Sequence, residues 1–217
     1  MVQAMKNWRI WVILSLFLVM GAGFYFFSSL EESQPYQGVE LSGIAPDFRL
    51  IDQNGNAISL SGFRGKIVVL TFMDSQCKDT CPLTSAHLLQ AYERLDQSKA
   101  DQVVFFAVNV NIQANTMTDV AQATQNWHLE KIPSWHFLTG DAAELKPIWK
   151  NYGVAAEANG EAGEIVHTPG VFLIDRGGQK RWYISTPYSS EGSVEWTLPL
   201  SELLIRHLQK LLNENPS

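Results

Sequence analysis

Cysteine is almost missing from this chain: 217 residues contain two, too few for the network of bridges that staples small secreted folds. Basic clusters are missing too. Lys and Arg number 16 against 22 Asp and Glu, for a net charge of -6, and without a run of cations to neutralise phosphates the chain is not a nucleic-acid binder. There is no internal repeat and no low-complexity tract, which excludes solenoids and arrays. No cysteine directly adjoins the end of the single long apolar run, so no lipid anchor is expected there. No arginine stands near either cysteine in the sequence, which argues against a thiol peroxidase, whose one reactive sulfur needs such a neighbour.

That one apolar run, Ile10 to Phe27, carries no charged side chain over eighteen residues. At ~1.5 Å per residue it nearly matches a hydrocarbon core of ~30 Å. Lys6 and Arg9 precede it and Glu31 and Glu32 follow, so the positive-inside bias puts residues 1–9 in the cytoplasm and everything downstream outside it, on the periplasmic side in a bacterium. The run is longer than the core of a signal peptide and no small-x-small cleavage site follows, so the expectation is a retained transmembrane helix over 10–27. Residues 28–42, polar and interrupted by Pro35 and Gly38, read as a tether. Residues 43–217 are the size of one domain with a full apolar core.

Within that domain the pattern alternates. Phe48 to Ile51, the pair Asn54-Gly55 and Ala57 to Leu60 predict a hairpin. Ile67 to Met73 and Val103 to Val110 are continuous apolar runs of the kind buried on both sheet faces, and the helical spacing from Leu83 to Leu95 between them makes a parallel βαβ unit. Thr116 to Trp127 reads as helix, Trp135 to Leu138 as strand, and Ala142 to Tyr152 as helix stopped by Gly153. Val171 to Asp175 and Gln179 to Ser185 form a second hairpin, and Leu198 to Asn213 a closing helix with an apolar stripe. The sum is an α/β, thioredoxin-like fold with an added N-terminal β-hairpin: a central mixed sheet with helices on both faces.

The two cysteines lie at the first strand-to-helix junction, as Cys77-Lys78-Asp79-Thr80-Cys81-Pro82. Proline suits a first helical turn, and the positive end of the helix dipole favours thiolate over thiol. A bridge across so short a loop stabilises little, yet helical i, i+4 spacing brings the Cα atoms to about 6 Å, within disulfide reach, so redox cycling is open. The segment Glu161 to Pro169 reads as a loop leading into a central strand, which makes His167 the best placed of five histidines. Two thiolates and one imidazole are a soft set that suits Cu(I), or Cu(II) with a further ligand, whereas structural zinc wants four protein ligands. His87, His128, His136 and His207 fall on predicted helices or strands with packing or surface roles. Met73 and Met117 read as core filling, Asp74 and Asp79 as solvated loop carboxylates outside the ligand set.

Several stretches together resemble one family. They are Ala45-Pro46-Asp47-Phe48 with Leu50 and Asp52, Gly65-Lys66, Cys77-x-x-x-Cys81-Pro82-Leu83-Thr84, Phe137-Leu138-Thr139-Gly140, Tyr152-Gly153-Val154, and His167 five residues before Phe172-Leu173-Ile174-Asp175. The chain resembles the Sco, or SenC-like, copper chaperones linked to assembly of the binuclear copper site of cytochrome c oxidase. The resemblance implies copper held by Cys77, Cys81 and His167, and a membrane-anchored carrier that need not catalyse anything. Its implied partners are the copper-bearing oxidase subunit and a thiol reductant or another copper carrier. The alternative is an extracytoplasmic thiol-disulfide oxidoreductase, with Cys77 attacking and Cys81 resolving. Two departures stand out. Asn111-Ile112-Gln113-Ala114 replaces the family's Asp-Pro and its acidic turn, removing an expected carboxylate near the site. Pro169 sits where redox-active thioredoxin-like proteins place a cis proline.

Overall fold

Seven consecutive apolar or β-branched residues with no turn former make Ile67–Met73 a strand whose every side chain is buried, and the rest of the domain is assembled on its two faces. The computed structural model describes residues 38–159, 164–185 and 198–214, with Val12 and Met20 as single helical positions. The chain divides into two units, Met1–Pro35 and Tyr36–Ser217; the second is described below. The apolar stretch 10–27 and most of the tether lie outside the described residues, apart from those two positions. Among the described residues no helix is long and apolar enough to cross a membrane.

The main sheet has six strands in the order β1 (Val39–Glu40), β10 (Lys180–Ile184), β9 (Val171–Ile174), β4 (Ile67–Met73), β5 (Val103–Asn109) and β6 (Trp135–Leu138). β4, β5 and β6 are parallel, while β9 runs antiparallel to β4 and to β10, and β10 to β1. Two small hairpins stand beside it, β2 (Arg49–Ile51) with β3 (Ala57–Ser59), and β7 (Ala156–Asn159) with β8 (Glu164–His167). Strand alternation sorts the core into two layers. Ile67, Val69 and Met73 face helices α1 (Thr80–Glu93), α2 (Met117–Asn126) and α4 (Leu200–Asn213); Val68, Leu70 and Phe72 face α3 (Ala142–Asn151) and the β2–β3 hairpin. Each such side chain contributes about 1.5–3 kcal/mol by leaving water. Capping boxes, Thr116 with Asp119 and Asp141 with Glu144, start α2 and α3.

The mixed α/β layout agrees with the sequence reading, with local corrections. The domain starts before residue 43, because Val39 and Glu40, assigned to the tether, pair with Tyr183 and Trp182. The first helix begins at Thr80, so Pro82 lies in its first turn as expected and Cys81 lies there with it. Glu164 to His167, read as loop, is a strand paired with β7. His128 is not helical; it has a left-handed φ of 58°. Met117 is 48 % exposed at the start of α2 and fills no core, whereas Met73 is buried. Every described peptide bond is trans, including that before Pro169.

The N-terminal hairpin closes the outer edge of β6. Ile51 and Thr139 exchange main-chain hydrogen bonds, and the Gln53 side chain continues the ladder: its Nε2 donates to the Trp135 carbonyl (3.1 Å) and its Oε1 accepts the Phe137 N–H (2.7 Å). Between them Asp52, fully buried, accepts from Asn54 N, Asn56 N, Asn56 Nδ2 and His136 Nδ1. Replacing Asp52 by Ala strands those donors at once. The expected loss is about 2–4 kcal/mol, read as a lowered urea midpoint, with Asp52→Asn losing less.

Candidate functional site

β4 delivers the chain to the carboxyl end of the sheet at Met73, and a tight turn follows. Asp74 Oδ1 accepts the Gln76 N–H (2.8 Å) and the Asp74 carbonyl accepts the Cys77 N–H (3.1 Å). Ser75 ties this turn to the segment after β5, its hydroxyl donating to the Ala114 carbonyl (2.7 Å). At the start of α1 the N-cap residue Asp79 makes no side-chain cap. The free N–H of Cys81 goes to Cys77 Sγ instead (3.3 Å), and Thr80 Oγ1 lies 3.4 Å from the same sulfur. Cys77 thus takes the acceptor place that a capping oxygen normally fills.

This geometry separates the two thiols. The Cys81 thiol donates to Cys77 and draws its pKa down, against the upward push of burial; the Thr80 hydroxyl and the N–H groups of Cys81 and Asp79 add to the pull, and the value settles at about 5. The same hydrogen bond, burial and the negative charge on Cys77 push Cys81 far above the ordinary thiol range. The reduced pair therefore holds one half-buried thiolate and one thiol that is 3 % exposed. Both cysteines are free.

His167 ends β8 and comes back over the cysteines. Its Nε2 stands 3.9 Å from Cys81 Sγ, while Nδ1 lies 3.2 Å from the Thr168 carbonyl. A proton on Nδ1 satisfies that carbonyl and leaves the Nε2 lone pair facing sulfur. The segment behind it is pinned on both sides: Tyr183 Oη donates to the Pro169 carbonyl (2.6 Å), Thr71 Oγ1 to the Gly170 carbonyl (2.9 Å), and Thr168 Oγ1 accepts the Ala155 N–H (3.1 Å). Cys77 and His167 line one cavity of about 330 Å³ with Asp74, Asp79, Thr80, Ile165, Val166 and Pro169. Among the described residues no three His, Cys, Asp or Glu side chains stand close enough together to hold a metal ion as they are placed.

The other histidines are elsewhere. His136 is bonded to Asp52, His207 stacks on Trp182 with ring centres 4.5 Å apart, His128 lies 3.7 Å from Glu130, and His87 is half-buried in α1. Asp79 is exposed as expected, but Asp74 is only 2 % exposed, which corrects its reading as a solvated carboxylate. Sequence reasoning also passed over Thr80 and Tyr183. Thr80 carried a signal, standing between the cysteines where a first-turn hydroxyl meets the sulfur; Tyr183, distant in sequence, carried none.

Residues 37–196 match the profile of the SCO1/SenC family. The SCO2-like protein of Rickettsia prowazekii is 27% identical over 188 residues, covering 81% of this chain and 89% of that relative. Arabidopsis thaliana ScoI with copper bound superposes with a TM-score of 0.64 at 20% identity, over 78% of this chain and 98% of that one. BsSco, described as a member of the Sco family of cytochrome c oxidase assembly proteins and as having a disulfide switch, gives 0.59 at 18% identity, over 82% and 98%. At these identities the two solved structures speak for the fold alone. The profile spans most of the sequence, and on that ground the chain belongs to the SCO1/SenC family.

Proposed function

We propose that this protein is a copper carrier, in which Cys77, Cys81 and His167 hold one copper ion for delivery to the copper-bearing subunit of cytochrome c oxidase. The observation that carries this reading is the 3.9 Å approach of His167 Nε2 to Cys81 Sγ. With metal–sulfur and metal–imidazole bonds of about 2.3 and 2.0 Å, two such ligand atoms sit about 3.6–3.8 Å apart. The Cys81–His167 pair is thus within a few tenths of an ångström of a shared-ion separation, Cys77 lines the same cavity, and a sulfur–sulfur–nitrogen set is the soft, low-coordination kind that copper prefers. Copper is bound to the Arabidopsis thaliana structure, and BsSco is placed among oxidase assembly proteins; both support the assignment. In the same reading residues 10–27 anchor the domain to the membrane with its site on the extracytoplasmic face. The chain's own work is to bind the ion, keep it from water and release it.

Competition titration of the reduced protein with Cu(I) tests this. Tight one-to-one binding is expected, with His167→Ala weaker by at least about tenfold. Binding no tighter than that of a single isolated thiol overturns the proposal.

The split between the two sulfurs favours a second reading, an extracytoplasmic thiol-disulfide oxidoreductase. The Cys77 thiolate attacks a partner's disulfide and forms a mixed disulfide as one partner thiol leaves. Cys81 then attacks Cys77, freeing the second partner thiol and leaving the Cys77–Cys81 pair oxidised, to be restored by a thiol reductant. His167→Ala should keep most of that exchange rate while losing copper, which separates the two activities.

A further inference from the structure

Two segments meet beside the cysteines, the turn that follows β4 and the stretch that follows β5. The first carries a carboxylate, Asp74, and the second an amide, Asn111. Asn111 Nδ2 donates to Asp74 Oδ1 at 2.9 Å. The direction of that amide is set by its other end, since Asn111 Oδ1 accepts the Gln113 N–H (2.9 Å), leaving only the NH2 group to face Asp74. Asn109 braces the arrangement: its Oδ1 accepts the N–H groups of Ser75 and Asn111, and its Nδ2 donates to the carbonyls of Asn111 and Ala114. Asp74, Asn109 and Asn111 are all 2 % exposed or less.

Asp74 therefore sits in a buried frame of uncharged hydrogen-bond donors, and it lines the same cavity as Cys77 and His167. Among the described residues both donors that reach its carboxylate, Gln76 N and Asn111 Nδ2, go to Oδ1. None of the ion pairs among the described residues includes it. A buried negative charge without a cation beside it acts on whatever ion enters that cavity, with little screening.

We propose that Asp74, oriented by Asn111, is a specificity-determining carboxylate of this site and biases it toward divalent copper over monovalent copper. The inference rests on the copper-carrier reading. Its physical basis is that Coulomb energy scales with the product of the charges, so one carboxylate acts twice as strongly on a dication as on a monocation at any given separation. Cys77, Cys81 and His167 supply the soft donors, and Asp74 adds charge that Cu(II) compensates more fully than Cu(I).

The test compares wild type, Asp74→Asn, Asn111→Asp and the exchange variant Asp74→Asn/Asn111→Asp. Each is titrated with Cu(I) and with Cu(II), and with Co(II) as a dication that does not oxidise thiols. Asp74→Asn is expected to lose about tenfold in affinity for Cu(II) and Co(II) but only about threefold for Cu(I), the square-root relation that the charge argument requires. Asn111→Asp sets two carboxylates face to face and is expected to lower the urea midpoint. The exchange variant restores one carboxylate and one amide, and should recover both the midpoint and the dication affinity to within about threefold. Equal losses for Cu(I) and the dications, unchanged affinities, or an exchange variant no better than Asp74→Asn would overturn the role of Asp74. If wild type itself binds Cu(I) no better than an isolated thiol, the carrier reading has failed instead. Should Asp74→Asn not fold, the exchange variant is judged against wild type: dication affinity within about threefold supports the charge argument, and a larger loss shared equally by Cu(I) and the dications overturns it.

Discussion

Gly170→Ala is expected to destabilise the domain by about 2–4 kcal/mol, lowering the melting temperature by roughly 5–15 °C. Gly170 has a φ of 157°, and a Cβ there would stand 2.5 Å from two ring carbons of Tyr183. The ring does not move away without loss. It packs on Phe172 with centres 4.9 Å apart, and its hydroxyl holds the Pro169 carbonyl two residues beyond His167. Either the ring stays and the core is overpacked, or it swings out and the His167 segment loses one of its pins. Two companion variants identify the cause. Tyr183→Phe removes only the hydrogen bond and should cost about 1 kcal/mol. In a Tyr183→Ala background Gly170→Ala should be much less costly, because the clash has gone, and calorimetry of the four proteins gives the coupling energy. Copper affinity should fall in Gly170→Ala beyond what the lowered stability explains. A variant with wild-type melting and wild-type binding would contradict the packing described.

The second large effect is the pH profile of the reduced cysteine pair. With its pKa drawn down to about 5, Cys77 is half ionised at a pH where an ordinary thiol is about 0.01 % ionised. A thiolate of low pKa is the weaker nucleophile, which returns a factor of about 50. Toward a small aromatic disulfide at pH 5, Cys77 should therefore react on the order of 100-fold faster than a free thiol. Near pH 8 the order should reverse, because the free thiol is by then appreciably ionised. The rate should be flat above about pH 6 and fall tenfold per unit well below 5. Only Cys77 should carry the first label by mass spectrometry, since Cys81 is kept protonated and buried. A rate that climbs steadily to pH 9 would show that Cys77 is an ordinary thiol.

The same displacement has a stability consequence with a definite sign. Cys77 is more acidic folded than its ordinary value of 9.0, so the unfolded chain binds more protons between about pH 5 and 9, and its contribution grows with pH across that window. Cys81 is displaced upward, so above about pH 9 the folded chain holds the extra proton and the contribution declines. The reduced domain should thus gain stability toward pH 9 relative to a Cys77→Ser variant.

Legibility in the sequence followed the density of apolar signal. β4 and β6 read off with their bounds because burial on both faces makes a strand a continuous apolar run. β1 was invisible: two residues, both exposed, become a strand only because Tyr183 and Trp182 offer them partners. The β7–β8 hairpin was hidden for a related reason, its residues pairing with each other and not with the main sheet. The cysteine pair announced itself through spacing and the adjoining proline, and His167 stood out from the other histidines by its place ahead of a central strand, its role as a ligand being strengthened by the family resemblance. Asp74 was misread because a carboxylate after a strand is ordinarily wet, and what keeps this one dry is an amide 37 residues later. Pairings of that length leave no local trace.

Gln53 has a consequence for how copies of this molecule meet. Exposed outer strands invite neighbours to extend the sheet from one molecule into the next, the first step toward fibrillar aggregates. On the β6 side that route is closed, since the main-chain groups a stranger would grip are already taken by Ile51 and by the glutamine amide. The opposite margin, at β1, offers two residues of ladder among the described residues. Growth of the sheet from the β6 flank is denied, and the sulfur-bearing turn lies at the ends of the strands and not along that margin.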